Sequence, residues 1–319
     1  MILRLAHVEV AVDDLDAAHA FYVELLGFVE HARDGDRLLL RGSEELDCWS
    51  LSLVDRGGPG LTHSAYRVSA PSDLDDLEAL HRRLGLATER LAAGSEPGHG
   101  PLLRVATPDG HRSEFVHEID EIDPYVDGRL ALPMRRPAEH PGGIPPTRID
   151  HVSLRVNAVS DSLAYWCDEL GFSASELWLR EDETPHIAWI RRQTRSHDVA
   201  LGVAPAPAFH HFAYAVADAA ALVRAADLLG DARQQQRIEW GPGRHGATNA
   251  LAMYVRDPAG NRLELYAGDY ARDLDRPPLR WRVPDYKLQG HSWWGFPAPD
   301  SFGETAPLLE PDSPAEAPS

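Results

Sequence analysis

The chain has 319 residues, of which 43% are hydrophobic and 25% are charged, the balance of a globular protein long enough for two domains. The formal net charge of −19 argues against a nucleic acid or an anionic membrane surface as a partner, because both would repel it. Two cysteines, Cys48 and Cys167, are too few for a disulfide framework, and the first residues contain no apolar core long enough for a signal peptide. We therefore expect a cytoplasmic protein without a membrane segment.

The two halves of the chain resemble each other. An alternating run begins at His7 and again at His151, and the helical stretch that follows ends at Gly27-Phe28 in the first half and at Gly171-Phe172 in the second. Two further pairs of similar segments follow in the same order, 63–68 with 211–216 and 107–115 with 257–265. Three matches in one order indicate an internal duplication.

In chain order, each half is predicted to form a strand, a helix and three short strands, twice over. The runs that begin at the histidines alternate with period 2, as strands do, whereas Leu15–Leu26 and Val159–Leu170 have the pattern of amphipathic helices. Short apolar runs at Arg37–Arg41 and His186–Ile190, bounded by turn residues, indicate antiparallel strands. The prediction is an α+β protein of two domains, each built from two βαβββ modules.

Composition suggests where the domains begin and end. We expect an N-terminal domain at 1–118 and a C-terminal domain at 149–270, joined by a linker at 119–148 that is rich in proline, glycine and charge. Residues 305–319 are rich in proline, glutamate and serine, and this composition predicts a disordered tail.

One histidine-rich pattern points to a metal site. His151, His211 and Glu264 each begin or end a predicted strand, so that they can converge. Two imidazoles and one carboxylate occupy one face of an octahedral metal and leave three positions open, which suits Fe(II) or Mn(II) equally. In the predicted strand that contains Glu264, alternation places Glu264 on the opposite face from the apolar residues beside it in the sequence. Spacing alone does not exclude three unrelated surface residues, and it does not choose between His210 and His211.

A resemblance to a known family adds to this interpretation. From His7 to about Pro297 the chain resembles the type I extradiol dioxygenases of the vicinal oxygen chelate superfamily, and most of all the homoprotocatechuate (3,4-dihydroxyphenylacetate) 2,3-dioxygenases. The segments that carry the resemblance are Arg148-Ile149-Asp150-His151, His197-Asp198, His210-His211, 237–246, Asn249-Ala250, Asp257-Pro258 and Trp293-Trp294-Gly295. The resemblance implies that a catecholic substrate is cleaved by O₂ to a muconic semialdehyde. It also implies an open antiparallel barrel around the metal, His211 rather than His210 as ligand, a C-terminal lid at 271–304, and a homo-oligomer, either a tetramer or a dimer.

The same resemblance assigns roles around the metal. His197 corresponds to an acid–base histidine, Tyr254 to a tyrosine that hydrogen-bonds a substrate oxygen, His245 to a second histidine near the substrate, and Trp189 to a residue of the pocket wall. Competing explanations are a plain surface pair of His197 with Asp198 and an ordinary half-buried strand tyrosine at Tyr254.

Three positions depart from the family pattern. Trp240 and His291 stand where the homoprotocatechuate enzymes have arginines that grip the substrate carboxylate, and Ser153 stands where an asparagine is usual. Tryptophan does not replace the bidentate grip of arginine on an anion. We therefore expect a pocket that includes these residues and prefers a neutral substituent over a carboxylate.

The N-terminal half holds a second set of the same residue types. His7, His63 and Glu114 correspond to the three residues of the C-terminal set, whereas Cys48 and Arg104 replace the acid–base histidine and the tyrosine. This set is either a second metal site or a relic whose polar groups pair with one another.

Two other functions remain open on the same fold. One is a metal-dependent isomerase or lyase that resembles glyoxalase, and the other is a non-catalytic module that binds or sequesters a ligand. The histidines, the glutamate and the residues around them favour the dioxygenase.

Overall fold

The computed structural model describes residues 1–122 and 142–310, which form two β-sheets. The strands of the first sheet are β1 Ile2–Val12, β2 Val29–Asp34, β3 Arg37–Arg41, β4 Leu51–Asp55, β5 Gly60–Val68, β6 Thr88–Leu91, β7 Leu102–Ala106 and β8 Arg112–Val116. They lie side by side in the order β2-β3-β4-β1-β5-β8-β7-β6.

The second sheet repeats this plan and adds one strand. Its strands are β9 Arg148–Val156, β10 Ser173–Leu179, β11 Pro185–Arg191, β12 Val199–Val203, β13 Ala208–Ala215, β14 Ile238–Arg244, β15 Leu251–Arg256, β16 Arg262–Ala267 and β17 Leu279–Arg282. The order is β14-β15-β16-β13-β9-β12-β11-β10-β17, so that β16, β13 and β9 are neighbours near the middle of the sheet.

The two helices whose bounds were predicted begin at the expected residues, Leu15 and Val159. The α-helices are α1 Leu15–His19, α2 Asp73–Arg83, α3 Val159–Leu163 and α4 Ala219–Asp231; α1 continues as a π-helix at Ala20–Leu26, and α3 continues as one at Ala164–Glu169. Oδ1 of Asp14 caps α1 by accepting hydrogen bonds from the backbone N–H groups of Asp16 and Ala17. Gly27, with a φ of 90°, ends the π-helix in the left-handed conformation that favours glycine.

The predicted fold class is confirmed, because the βαβββ order occurs four times. One detail differs, since the sheets are mixed rather than antiparallel throughout. The first and last strands of each module, such as β1 with β4 and β13 with β16, pair in parallel. Within a module, the helix returns the chain to the end of the sheet at which the first strand began, so the second strand runs in the same direction as the first. Each of the next two strands is antiparallel to the one before it, and the last strand is therefore parallel to the first.

A shared apolar core joins the two sheets. The ring of Phe28 from the first half meets that of Tyr214 from the second at a centroid distance of 4.7 Å. A buried hydrogen bond also crosses the interface, where the hydroxyl of Tyr22 donates to Oδ2 of Asp257 at 2.9 Å. Such contacts hold the second sheet, and the strands that carry His151, His211 and Glu264, on a rigid support.

The two segments that were expected to be irregular are more ordered than predicted where they are described. Ala306 pairs with Phe209 and Leu308 pairs with Leu61, so the prediction of a disordered tail is wrong for residues 305–310. Apolar side chains among the polar ones explain the difference, because they pack where the two sheets meet. Of the expected linker, 123–141 lies outside the described residues, as do 311–319 of the tail. Within the described ranges, no helix is long and apolar enough to cross a membrane.

Candidate active site

Three adjacent strands of the second sheet bring His151, His211 and Glu264 together. On β13, Ala213 pairs with His151 of β9 on one side and with Glu264 of β16 on the other. His211 lies two residues before Ala213 and shares its face of the sheet. One nitrogen or oxygen atom of each side chain therefore lies within 4.8 Å of those of the other two.

The three groups are buried and face a common point. Nε2 of His151 lies 2.9 Å from Oε2 of Glu264 and 3.2 Å from Nε2 of His211. Nε2 of His211 lies 3.1 Å from the same carboxylate oxygen. Two imidazole nitrogens and a carboxylate oxygen in this arrangement fit a divalent first-row metal such as iron or manganese.

Asp150 orients the first of these histidines. Oδ2 of Asp150 lies 3.0 Å from Nδ1 of His151, and its other oxygen accepts hydrogen bonds from Arg148 and Arg195. Burial raises the pKa of Asp150, but its hydrogen bond to His151 and the charge of Arg195 outweigh this and hold the pKa well below its usual range. An ionised carboxylate only accepts, so Nδ1 of His151 donates and Nε2 is left to face Glu264.

The charges of the site favour a cation at its centre. Burial lowers the pKa of His211 to about 3, which keeps this imidazole neutral. For His151 the effect of burial is outweighed by the carboxylates of Glu264 and Asp150, which raise its pKa to about 9. The site therefore stabilises one positive charge, and a metal ion would supply that charge in place of a proton.

His197 lies directly against the metal group. Its ring centroid is 3.9 Å from that of His151, and its Nδ1 lies 2.9 Å from Oγ of Ser196. Burial, with a further contribution from His151, lowers the pKa of His197 well below its ordinary value, so the ring is neutral and can accept a proton. Asp198 is buried as well, and the explanation of a plain surface pair is therefore wrong.

Tyr254 and His245 form a hydrogen-bonded pair beside the metal group. Tyr254 is the neighbour of Glu264 across β15 and β16, and its hydroxyl lies 3.2 Å from Nε2 of His245. Nδ1 of His245 contacts the carbonyl oxygen of His291. A carbonyl only accepts, so Nδ1 of His245 donates and its Nε2 accepts a hydrogen bond from Tyr254.

A cavity of about 610 Å³ opens beside these groups. Three of the residues that the sequence assigns to the pocket, Ser153, Trp189 and His291, lie in its wall. Trp240 does not, and its assignment is corrected. Its ring is stacked behind His245 at a centroid distance of 4.7 Å, and its indole N–H donates to a backbone carbonyl oxygen. Trp240 therefore supports His245 instead of touching the cavity.

His210 also lies in the wall of the cavity, although simple alternation places it on the opposite side of β13 from His211. The pairing of β13 with β9 shifts between Phe209 and His211, as in a β-bulge, and this shift turns both histidines to one side. Nδ1 of His210 lies 2.6 Å from Nδ1 of His211. His210 is thus a neighbour that orients a candidate ligand.

The structure adds aromatic residues that the sequence does not point to. Tyr286 and Phe302, from the segment expected to form a lid, reach the cavity wall together with Trp178 and Tyr266. Trp178 and Tyr286 are stacked at a centroid distance of 4.1 Å. Tyr266 shares one face of β16 with Glu264, so alternation could have revealed it. No local signal marks Tyr286 and Phe302, because their roles depend on how residues 271–304 fold back over the sheet.

The most consequential addition is Arg155. It shares one face of β9 with His151 and Ser153 and lines the same cavity. Its Nη1 makes one long hydrogen bond, 3.4 Å to Oγ of Ser153, and no carboxylate of the described residues lies within ion-pair distance of it. Burial lowers its pKa to about 10, which leaves it charged at neutral pH. The cavity wall therefore contains a cation that was not predicted, and alternation along β9 is the signal that could have revealed it.

Comparisons with known proteins show similarity to ring-cleaving dioxygenases over nearly the whole chain. Residues 148–265 match the model of the glyoxalase/bleomycin resistance protein/dioxygenase superfamily, and residues 61–118 match the catechol 2,3-dioxygenase-like N-terminal domain. A metapyrocatechase of Geobacillus stearothermophilus is 32% identical, over 94% of this chain and 92% of that protein. A manganese-dependent 2,3-dihydroxybiphenyl 1,2-dioxygenase of Geobacillus genomosp. 3 is 29% identical, over 92% of this chain and 94% of that protein. The structure of homoprotocatechuate 2,3-dioxygenase from Brevibacterium fuscum with 3,4-dihydroxyphenylacetate matches with a TM-score of 0.88 at 33% identity, over 97% and 94% of the two chains.

The fold and the site define a metal-binding protein of the vicinal oxygen chelate superfamily. Within it, the chain belongs to the extradiol dioxygenases, the enzymes that cleave catechol rings with dioxygen. The predicted family and enzyme class are confirmed, and they displace the alternatives of an isomerase or lyase and of a non-catalytic binding module.

Proposed function

We propose that the protein opens the ring of a substituted catechol beside one of its two hydroxyl groups, with the metal held by His151, His211 and Glu264. The convergence of these three side chains at one end of the cavity supports this proposal above all. When bound there, the metal would hold the catechol and dioxygen side by side and pass charge between them.

Fe(II) is the proposed ion, with Mn(II) as the alternative. Two imidazoles and one carboxylate suit both ions, and geometry does not separate them. A manganese-dependent dioxygenase is among the similar proteins, so both ions belong in any reconstitution experiment.

His197 is proposed as the acid–base residue. Its Nδ1 is engaged by Ser196, which leaves Nε2 to take the proton of a catechol hydroxyl and later to return it to an oxygen of the cleaved product. A neutral, buried imidazole is in the right state for the first of these transfers.

Tyr254 is proposed to hold a substrate oxygen in place. Because its hydroxyl donates to His245, the lone pairs of the same oxygen are free to accept a hydrogen bond from a substrate hydroxyl. His245 is in turn fixed by Trp240 on one side and by the carbonyl of His291 on another. This chain of contacts would position the substrate against the metal.

Arg155 is proposed to select an anionic substituent on the ring. Arg155 lies four positions after His151 on β9, about 13 Å along the strand, so the guanidinium faces the end of the substrate remote from the metal. A partly buried guanidinium that meets no carboxylate among the described residues favours an acidic substituent, such as that of 3,4-dihydroxyphenylacetate. This reverses the preference for neutral substituents that the sequence suggests from Trp240 and His291.

The assembly is proposed from family resemblance alone. A homo-oligomer, tetramer or dimer, in the cytoplasm is expected, and the mass of the purified protein by light scattering would test the first part. A monomer would contradict it.

Oxygen uptake with a catechol, measured before and after reconstitution with Fe(II) or Mn(II), tests the proposed reaction. One O₂ consumed per catechol, together with the yellow absorbance of a semialdehyde, is the expected result. Oxygen uptake that yields a quinone, without ring opening, would overturn the proposal.

A further inference from the structure

The N-terminal sheet repeats the geometry of the metal group. Ala65 of β5 pairs with His7 of β1 on one side and with Glu114 of β8 on the other, as Ala213 pairs with His151 and Glu264 in the second sheet. His63 lies two residues before Ala65, as His211 lies before Ala213. The duplication has therefore kept three candidate ligands at equivalent positions.

These three side chains converge. Nε2 of His7 lies 3.0 Å from Nε2 of His63, and Oε2 of Glu114 lies 3.5 Å from the latter and 4.0 Å from the former. None of the three is more than 1% exposed. The candidate ligand atoms all lie within 4.8 Å of one another, as in the C-terminal group.

One oxygen of the Glu114 carboxylate has no hydrogen-bond partner among the described residues. Oε1 accepts from Arg104 at 2.7 Å, whereas Oε2 faces the two imidazoles and accepts no hydrogen bond from the part of the chain that the structure describes. An unpaired carboxylate oxygen in a buried site is costly. A cation between Oε2 and the two Nε2 atoms would satisfy it.

A second carboxylate stands behind one of the histidines. Oε1 of Glu9 lies 3.8 Å from Nδ1 of His63, and Ser52 and Thr62 donate hydrogen bonds to the Glu9 carboxylate. The contact is indirect, unlike that of Asp150 with His151: Nδ1 of His63 lies 3.3 Å from Oγ1 of Thr62, whose hydroxyl donates to Oε1 of Glu9. A hydroxyl that donates to Glu9 can accept a hydrogen bond from Nδ1 of His63, and this favours the tautomer whose Nε2 is free to bind a metal.

Arg104 does not prevent cation binding, although it carries a positive charge beside the cluster. Its charge is taken up by Glu114, at 2.7 Å, and by Glu89 and Glu96, at 3.7 and 3.8 Å. Arg37 is likewise paired, with Glu9 at 3.4 Å and with Glu96 at 2.7 Å, so four carboxylates surround the two guanidinium groups. The surroundings of the cluster are therefore not repulsive to a cation.

The N-terminal cluster differs from the C-terminal one in having little room for a substrate. The rings of Trp49 and His99 pack on His7 at centroid distances of 4.4 and 5.0 Å. Arg104 pairs with Glu114 at the position that Tyr254 has opposite Glu264. A catechol that needs two adjacent metal positions could not approach.

We propose that His7, His63 and Glu114 bind a second divalent transition-metal ion in a closed centre that stabilises the N-terminal sheet and takes no part in ring cleavage. Zn(II) and Mn(II) suit the donor set of two imidazoles and one carboxylate. The proposal does not depend on the reaction assigned to the C-terminal site.

Metal counting on the full-length protein tests this proposal. After reconstitution with Fe(II), Mn(II) or Zn(II) and removal of excess ion, the unaltered protein should hold two ions per chain by mass spectrometry. The His63→Ala variant should hold one ion per chain and keep the ring-cleavage rate of the unaltered protein. An unchanged rate also shows that the variant is folded. Glu264→Ala should hold one and lose ring cleavage, so the two centres are distinguished.

Two further variants complete the test. Glu114→Gln preserves the side-chain volume and should also lower the count to one ion per chain. It takes the place of His63→Ala if that variant does not fold. His117→Ala, outside the cluster, should leave two ions. One ion per chain in the unaltered protein with every metal, or a count unchanged in both His63→Ala and Glu114→Gln, would overturn the proposal and identify the cluster as a relic.

Discussion

The guanidinium of Arg155 occupies the space that a side chain on Gly202 would need. The two residues are neighbours on β9 and β12, and a Cβ atom on Gly202 would lie 2.5 Å from Nη1 of Arg155 and 3.2 Å from its Cζ. The missing side chain at Gly202 thus lets the guanidinium lie across β12. Because the same guanidinium lines the cavity, Gly202, which is not among the residues of the cavity wall, helps to set the charge of the pocket.

The first prediction concerns this arginine. Arg155→Met should reduce kcat/KM for 3,4-dihydroxyphenylacetate by about 10- to 100-fold, the range expected for the loss of a hydrogen bond to a charged group. The kcat/KM for 4-methylcatechol should change little, because this substrate carries no anionic group for Arg155 to bind. The ratio of the two specificity constants is the quantity to measure.

A matched control and a second variant accompany this test. Arg244 donates to the carbonyl of Asn249 and is not among the residues of the cavity wall, so Arg244→Met should leave the ratio unchanged. Gly202→Ala should displace the guanidinium and lower the ratio. Equal losses for both substrates in Arg155→Met would show that Arg155 has a structural role instead.

The second prediction concerns the metal group. Glu264→Ala or His211→Ala should lose the ion of the C-terminal site and all ring cleavage. His210→Ala should keep the ion but bind it about 10- to 100-fold more weakly, because His210 contacts the outer nitrogen of His211. Metal titration of the three variants provides the check, and full metal content in Glu264→Ala would refute the assignment.

The third prediction separates proton transfer from metal binding. His197→Phe should retain the ion and bind catechol, yet turn over about 10²- to 10⁴-fold more slowly, the usual range for the loss of a general acid–base residue. Single-turnover kinetics with a preformed catechol complex would measure it. A variant as fast as the unaltered enzyme at neutral pH would remove His197 from the mechanism.

The fourth prediction concerns the pH dependence of protein stability, through an ion pair that involves the first residue of β16. Glu239 pairs with the buried guanidinium of Arg262 at 2.6 Å. Burial raises its pKa, but the hydrogen bonds from Arg262 and Arg256 outweigh this and lower the pKa from 4.5 to about 2. A lowered carboxylate pKa contributes stability that is complete above pH 4.5 and is lost as the pH falls toward 2.

Glu239→Gln should therefore lower the free energy of unfolding by about 1.5 to 3 kcal/mol at pH 7, as for other hydrogen bonds to charged groups. The difference from the unaltered protein should shrink below pH 4.5. Denaturant unfolding at several pH values measures it. Glu304→Gln, at an exposed carboxylate near Arg256, is the control and should have little effect. A difference that grows at low pH would contradict the assignment.

Much of the fold and of the metal group could be predicted from the sequence, because both depend on short-range patterns and on an internal repeat. A short apolar run bounded by turn residues identifies the strand Arg37–Arg41, which has the predicted bounds. Glu264 is exceptional in the sequence because it interrupts an apolar strand, and in the structure it faces two imidazoles. Repetition of the same residue types in both halves located the two clusters before any contact was known.

The composition of the pocket wall could not be predicted in this way, because it depends on strand register and on packing between distant segments. A register shift on β13 turns His210 toward the cavity, and stacking behind His245 removes Trp240 from it. Arg155 gains its importance from a glycine on the neighbouring strand and from the absence of any nearby carboxylate among the described residues. Short-range periodicity specifies which face of a strand a residue is on, whereas the cavity it reaches and the charge it meets there depend on tertiary contacts.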